Sequence, residues 1–345
     1  MAKLFFLLSG EHETLPVSEL KAILEAEGCA FRILEKLDQV VKLEADLNCV
    51  EAIKRRAALT RLCGLELFSC EAEIGTILRT ACSVGFEKVL DCEEKFVVRV
   101  KRVKNYSPKL ESMILERKLG EVILNKTAKI RVNLKQPDKT FTGILTENKF
   151  VFGLKLATIQ PKLFVERRPK HKPFFHPSAM TAKLARCMVN LAKPKAGELV
   201  FDPFCGTGSM LVEAALIGCQ VLGQDIQKRM VKGTRRNLAF FNIKPEGLIV
   251  ADAKNPPITT VDCVVTDPPY GISTTTLKRT TRQIVEEVLI ATHNMLKKKK
   301  RVCIAAPKTL GIGRLGKALG YRQLESHFVY VHRSLTREIA TLEKT

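Results

Sequence analysis

Apolar and polar positions follow two rhythms along the chain, and each change of rhythm marks an element. Lys3 to Leu8 is an almost unbroken apolar run of strand length. Pro16 to Ala26 carries Val17, Leu20, Ile23 and Leu24 at helical spacing; Phe31 to Leu43 reads as one or two strands and Val50 to Leu62 as a helix. A helix around Ile74 to Val84 precedes Lys95 to Val103, where period-two alternation puts Phe96, Val98 and Val100 on one face and Arg99 and Lys101 on the other. The first face is core and the second a basic stripe. A helix from about Ser107 to Val122, a strand from Ala128 to Leu134, a turn at Asn133 to Asp138 and strands at Thr140 to Thr146 and Lys149 to Leu156 follow.

Residues 161–177 include Arg167-Arg168-Pro169-Lys170-His171-Lys172-Pro173 and read as a semi-rigid basic linker able to touch phosphate. Ser178 is the expected N-cap of a helix striped by Met180, Leu184, Met188 and Leu191, with His176 helping to fix its start. From residue 198, strand and helix alternate, the sign of a parallel sheet with crossovers, hence an α/β domain. Four apolar runs end at an acid: Leu199-Val200-Phe201 at Asp202, Val221 to Gln224 at Asp225, Gly247 to Ala251 at Asp252, and Val261 to Thr266 at Asp267. A helix from Gln283 to Leu296, closed by the run Lys297 to Arg301, leads into a strand at Val302 to Ala305. A helix at Leu315 to Leu319 and strands at Arg322 to His332 and Leu335 to Leu342 end the pattern, and His332 to Arg337 lie at the last turn, where they can face a cleft.

Composition narrows the class. The 345 residues are 46% hydrophobic, enough for two or three cored domains, and no run approaches the length of a membrane span. The apolar start is too short and wrongly flanked for a signal peptide. Eleven cysteines without a CxxC pair, and only six histidines, argue against a zinc site and against a secreted disulfide framework. A cytoplasmic, monomeric protein without metal is expected, with a Cys63–Cys70 disulfide left open.

The net charge of +21 is uneven. Residues 1–94 hold 11 Lys+Arg against 17 Asp+Glu, residues 95–160 hold 15 against 5, and residues 161–345 hold 31 against 14. The last two segments are thus +10 and +17 and the first −6, which points to a polyanion, most simply nucleic acid, lying across the last two.

Ligands of parallel sheets bind at the carboxyl ends of strands, where all four acids fall. Pro203-Phe204-Cys205-Gly206-Thr207-Gly208 is a glycine-bearing turn, but Leu211 stands where a dinucleotide fingerprint needs its third glycine, and there is no P-loop. Asp225 is placed to accept ribose hydroxyls, and Asp252 to accept from an adenine amine. In Asp267-Pro268-Pro269-Tyr270, a carboxylate and a carbonyl stand beside an aromatic ring, which suits a flat heterocycle with an exocyclic NH2. Taken singly, each acid has a bland reading as a helix cap or loop residue.

"DPFCGTG" with "DPPYG" resembles the class I S-adenosylmethionine-dependent methyltransferases that act on exocyclic base amines. "FVVRVKR", "LERKLGEVI" and "KIRVNLKQPD", in that order, resemble a THUMP domain, an RNA-binding module. With "FFHPSAM" and a late "HRSLTR", the whole resembles the archaeal tRNA guanosine N2-methyltransferases acting at position 10. The resemblance implies a Rossmann-like methyltransferase domain at 178–345, preceded by an α+β ferredoxin-like domain at 1–70, a THUMP domain at 71–160 and the linker at 161–177. It implies cofactor contacts from Asp202, Phe204, Cys205, Gly206, Gly208, Asp225, Asp252, Ala253 and Asp267, and catalysis by Asp267, Pro268 and Tyr270. The expected tRNA contacts are Arg99, Lys101, Arg102, Lys135, Arg167, Arg168, Lys170 and Lys172. Relatives acting at position 6 tend to carry Asn in place of Asp267, which favours position 10, although Ile272 follows Gly271 where position-10 relatives often have Arg. The alternatives are another tRNA guanosine such as position 6, a DNA or rRNA amino-methyltransferase, of which the DNA enzyme needs no basic segment at 95–160, and a noncatalytic RNA-binding scaffold, which need not bind the cofactor.

Overall fold

The structure, a computed structural model, describes residues 1–270 and 279–345. In chain order the first 160 residues form β1 (Ala2–Leu8), α1 (Leu15–Ala26), β2 (Phe31–Leu37), β3 (Val40–Ala45), α2 (Cys49–Arg56), β4 (Thr60–Glu71), α3 (Ile74–Ser83), β5 (Lys95–Arg102), α4 (Ser112–Lys126), β6 (Arg131–Val132), β7 (Lys139–Thr146) and β8 (Lys149–Thr158). The rest forms α5 (Lys162–Glu166), α6 (Ala182–Leu191), β9 (Leu199–Asp202), α7 (Ser209–Ala215), β10 (Gln220–Asp225), α8 (Lys228–Phe240), β11 (Gly247–Val250), β12 (Val261–Thr266), α9 (Thr281–Met295), β13 (Leu296–Pro307), α10 (Ile312–Ala318), β14 (Tyr321–His332) and β15 (Leu335–Lys344).

The chain divides into two compact units. The first comprises Met1–Glu11, Cys29–Lys54 and Thr60–Ile159. Its strands form one sheet in the order β2-β3-β1-β4-β8-β7-β5-β6, so residues on both sides of position 70 share a sheet. Phe96, Val98 and Val100 of β5 enter a core with Phe68, Phe141 and Phe152, closed by Ile77 of α3 and Leu115 and Leu119 of α4. Val97 is also buried, because β5 is interior to the sheet, between β7 and β6.

Several local expectations give way to longer-range pairing. The helix expected to run to Leu62 stops at Arg56, and Thr60–Glu71 is instead a strand held between β1 and β8. The helix expected from Ser107 begins at Ser112, because the Arg102 guanidinium binds the carbonyls of Tyr106, Ser107 and Leu110 and holds that stretch as a loop. Only Arg131–Val132 of the expected strand at 128–134 pairs. Cys63 and Cys70, both on β4, are free thiols.

The second unit comprises His12–Gly28, Arg55–Leu59 and Gln160–Thr345, and therefore includes α1. Its sheet has the order β11-β10-β9-β12-β13-β15-β14. β9 to β13 run parallel, and β15 and β14 return antiparallel as the closing hairpin. Phe201, Leu222, Val264 and Ile304 pack beneath Leu289 of α9 and Ile312 of α10, each such side chain worth about 1.5–3 kcal/mol when fully buried. The helix after the linker starts later than expected: Thr181, not Ser178, caps α6 by accepting from Leu184 N at 3.4 Å, while Ser178 pairs with His176 Nδ1 at 2.7 Å. The run Lys297 to Arg301 is the start of β13 rather than the end of a helix, with Lys300 paired to Glu198 of the sheet's own loop.

Candidate active site

Because β11, β10, β9 and β12 are parallel neighbours, their carboxyl ends form one edge, and Asp252, Asp225, Asp202 and Asp267 stand along it in that order. They open on a cleft of about 680 Å3. Phe204, Cys205, Gly206, Ala253, Pro268 and Tyr270 line the same cleft, and of the residues expected at cofactor or base only Gly208 lies outside its lining.

Gly208 acts on backbone shape. Gly206 and Gly208 sit at φ +52° and +79°, in the left-handed region, and a Cβ at Gly208 would approach Thr234 Cγ2 to 3.0 Å. The turn is braced from α8: Thr234 Oγ1 donates to Gly206 O at 2.7 Å and Asn237 Nδ2 to Thr207 O at 2.8 Å. Neither residue was expected at the site, since a helix 30 residues away gives no local sign of contact.

The four acids differ in what they hold. Asp202 is buried; its Oδ1 accepts from Thr266 Oγ1 at 2.7 Å and from Phe204 N at 3.1 Å, so it fixes the turn to β12. Burial pushes its carboxyl up to about 7 against those hydrogen bonds. A folded-state pKa raised in this way means that the native protein keeps a proton the unfolded chain has lost above about 4, so Asp202 costs stability as pH rises from about 4 to about 7. Thermal melts should therefore show Asp202→Asn gaining on the parent protein across that interval; parallel curves would mean that Asp202 is ionised throughout.

Asp225 accepts from Gly206 N at 3.0 Å and Gln227 N at 2.9 Å, and burial raises its pKa against those two bonds. Asp252 is met by Arg279, whose two terminal nitrogens reach its two oxygens at 3.2 and 3.1 Å and which also pairs with Glu287 at 2.6 Å. The carboxylate expected to receive an amine is thus already facing a guanidinium.

Asp267 lies half-buried at the end of β12. The Tyr270 hydroxyl donates to its Oδ1, and Arg337 Nη2 from β15 stands 3.4 Å from its Oδ2. Arg337 Nε donates to the Tyr270 hydroxyl at 3.0 Å, with the guanidinium 5.5 Å from the ring centre. Burial raises the Asp267 pKa, and Arg337 and Tyr270 oppose the rise. Neither Arg279 nor Arg337 was expected individually; only the placing of His332 to Arg337 at a turn near the cleft hinted at the second.

The residues expected to touch RNA separate into two groups. Lys135, Arg168 and Lys170 are exposed. Lys101 is exposed beside a pocket that Arg61 also lines, and burial of its amine, with Lys155 and Arg61 near, holds its pKa below the usual lysine range. The others are engaged in the fold. Arg99 pairs with Glu116 at 3.5 Å and donates to Leu134 O at 3.2 Å, and Arg102 is spent on the three carbonyls of its loop. Arg167 is bidentate to Glu213 at 2.7 and 3.1 Å. Lys172 departs most from the expectation of a solvated linker residue: it is 6% exposed, with its amine 3.3 Å from Ser209 Oγ and burial pushing its pKa down to about 8, so it supports the turn. Ile272 lies outside the described residues.

A family model described as "RMKL-like, methyltransferase domain" matches residues 169–338, and one described as "DNA methylase" matches residues 94–236. A tRNA (guanine(10)-N2)-dimethyltransferase of Methanothermobacter thermautotrophicus is 34% identical over 99% of this chain and 99% of its own. One of Methanocaldococcus jannaschii is 32% identical over 98% and 99%. The chain belongs to the tRNA (guanine(10)-N2)-dimethyltransferase family. A tRNA (guanine(10)-N(2))-methyltransferase of Rattus norvegicus is 34% identical over 42% of this chain and 39% of its own. TrmN from Thermus thermophilus superposes with a TM-score of 0.57 at 18% identity over 99% of this chain and 100% of that one, and a putative methyltransferase complexed with SAH with 0.55 at 14% over 100% and 99%. These two likenesses speak for the α/β methyltransferase fold. Among the described residues no group of three or more His, Cys, Asp or Glu could hold a metal, and no helix is long and apolar enough to cross a membrane.

Proposed function

We propose that this chain, in the cytoplasm, transfers methyl groups from S-adenosylmethionine to the exocyclic 2-amino group of the guanosine at position 10 of tRNA, giving N2-methyl- and then N2,N2-dimethylguanosine. The observation that carries the reading is Asp267 with Pro268 on the same strand-end edge as Asp225 and Asp252. The donor set fits the cofactor: Asp225 retains acceptor capacity for ribose hydroxyls, Ala253 and the Phe204–Gly206 turn give backbone and apolar surface for the adenosine, and Asp252 can accept the adenine amine once Arg279 yields. When bound, the cofactor supplies an electrophilic methyl on a sulfonium.

The residues of the chain do the remaining work. A guanine amine is a poor nucleophile because its lone pair is delocalised into the ring. Asp267 and the Pro268 carbonyl accept its two hydrogens, which holds the nitrogen pyramidal and its lone pair directed, and positioning of this kind is worth up to about 7–11 kcal/mol. Asp267 takes the proton that nitrogen sheds on methylation and passes it to solvent. Once monomethylated, the amine still has one N–H for Asp267, which permits a second round. Swinging the base out of its stack costs a few kcal/mol, of which stacking on Tyr270 returns roughly 1–3. Residues 71–160, with exposed Lys101 and Lys135, are the RNA-holding module, and Arg168 and Lys170 are exposed basic residues that follow it in the chain.

Nucleoside mass spectrometry after incubation of tRNA transcripts with the protein and the methyl donor tests the reading. N2-methyl- and N2,N2-dimethylguanosine at one position support it. Methylation only of DNA, or none with the cofactor bound, would overturn it.

A further inference from the structure

The Asp267–Tyr270–Arg337 cluster does more than hold an amine. On its Watson–Crick edge guanine presents a donor, a donor and an acceptor in a row, at N2, N1 and O6. The two Asp267 oxygens offer acceptors, and Arg337 Nη2, 3.4 Å from Oδ2, continues them with a donor. We infer that Asp267 and Arg337 together read this edge, the carboxylate accepting from the 2-amino group and N1–H and the Arg337 guanidinium donating to O6. The inference rests on the proposed clamp at Asp267 and deepens it to base identity.

Two features of the cluster support this. Arg337 stands on a paired strand, its backbone in register with Pro307 of β13 and Val329 of β14, and its side chain is only 13% exposed, so the donor is preorganised. Tyr270 meanwhile places a hydroxyl donor on Asp267 Oδ1, so the phenol fills the place of the base's donor; displacing it also releases the Arg337 Nε–Tyr270 bond, while the Arg337 Nη2–Asp267 Oδ2 pair is a separate contact. Adenine would set its N1 acceptor against the carboxylate and a C–H against the guanidinium. Burial of the cluster makes such a mismatch costly.

The test uses tRNA carrying 2-aminopurine at the target position, which keeps the 2-amino group but lacks both N1–H and O6. The parent protein should prefer guanine by roughly 100-fold or more in kcat/KM. Arg337→Ala should lose rate on guanine with little change on 2-aminopurine, shrinking that preference by about tenfold or more. Arg337→Lys, which still donates, should restore part of it, and Arg337→Met, which keeps the length without a donor, gives the same readout should the alanine variant not fold. Equal losses on both bases would overturn the inference. Asp267→Ala run in parallel separates the two ideas: retained turnover there defeats the clamp itself, whereas lost turnover with an unchanged base preference in the Arg337 variants defeats only the base reading.

Discussion

Asp267→Ala should lower kcat by about 10^3-fold or more while leaving tRNA affinity within a few-fold of the parent's. The size follows from losing two functions in one group, a positioning acceptor and a proton acceptor, while the surfaces proposed to hold tRNA lie elsewhere. Asp267→Asn sharpens the test, because it keeps one acceptor and the shape but not the charge. Burial raises the Asp267 pKa above the ordinary carboxylate value of 3.8, so the ionised form is lost earlier on acidification and kcat/KM of the parent should fall as pH drops through that raised value. In the Asn variant that acidic limb should vanish, leaving a low, flat rate. Equal losses of turnover and tRNA binding in Asp267→Ala would mean that the residue serves the fold or the RNA rather than the chemistry.

Glu19→Ala should destabilise the protein by about 3–5 kcal/mol, a fall in melting temperature on the order of 10 °C for a unit of this size. Glu19 of α1 is fully buried and accepts from Ala58 N at 3.1 Å, Leu59 N at 2.7 Å and Asn190 Nδ2 of α6 at 2.8 Å. Arg56, also fully buried, donates to Asn190 Oδ1 at 3.2 Å and Pro194 O at 3.1 Å and pairs with Glu27 at 2.8 Å. Truncating Glu19 strands two buried backbone donors and one N–H of the Asn190 amide, whose nitrogen still reaches Arg56 O at 3.0 Å. Differential scanning fluorimetry reads the shift, and a change below about 1 °C would mean that the site relaxes or hydrates. The same network bears on truncations: removing residues 1–160 takes away Glu19, Arg56 and α1 from the unit that carries the strand-end acids, and so disturbs folding as well as any RNA contact.

The acids of the site were legible because each is local in sequence. An apolar run sets the strand, the acid ends it, and parallel order places the ends together. Thr60–Glu71 was not legible as a strand, since the helical pattern from Val50 runs on through Leu59 and only pairing with β1 and β8 decides the outcome. Ser178 and Thr181 both carry a capping hydroxyl, and the choice fell to the later one with Ser178 turned to His176. Lys172 sits in a sequence that reads as solvated linker, and its burial against Ser209 has no signature in its neighbours. Arg337 meets Tyr270 from 67 residues away, so its partnership with Asp267 comes from the closing hairpin alone.

The most direct measurement of the central claim is labelled-methyl transfer to paired tRNA transcripts differing only at the target, guanosine in one and inosine, which lacks just the 2-amino group, in the other. The guanosine transcript should take up label as N2-methyl- and N2,N2-dimethylguanosine, and the inosine transcript should bind comparably and take up none. Equal labelling of the two would contradict methyl transfer to the 2-amino group.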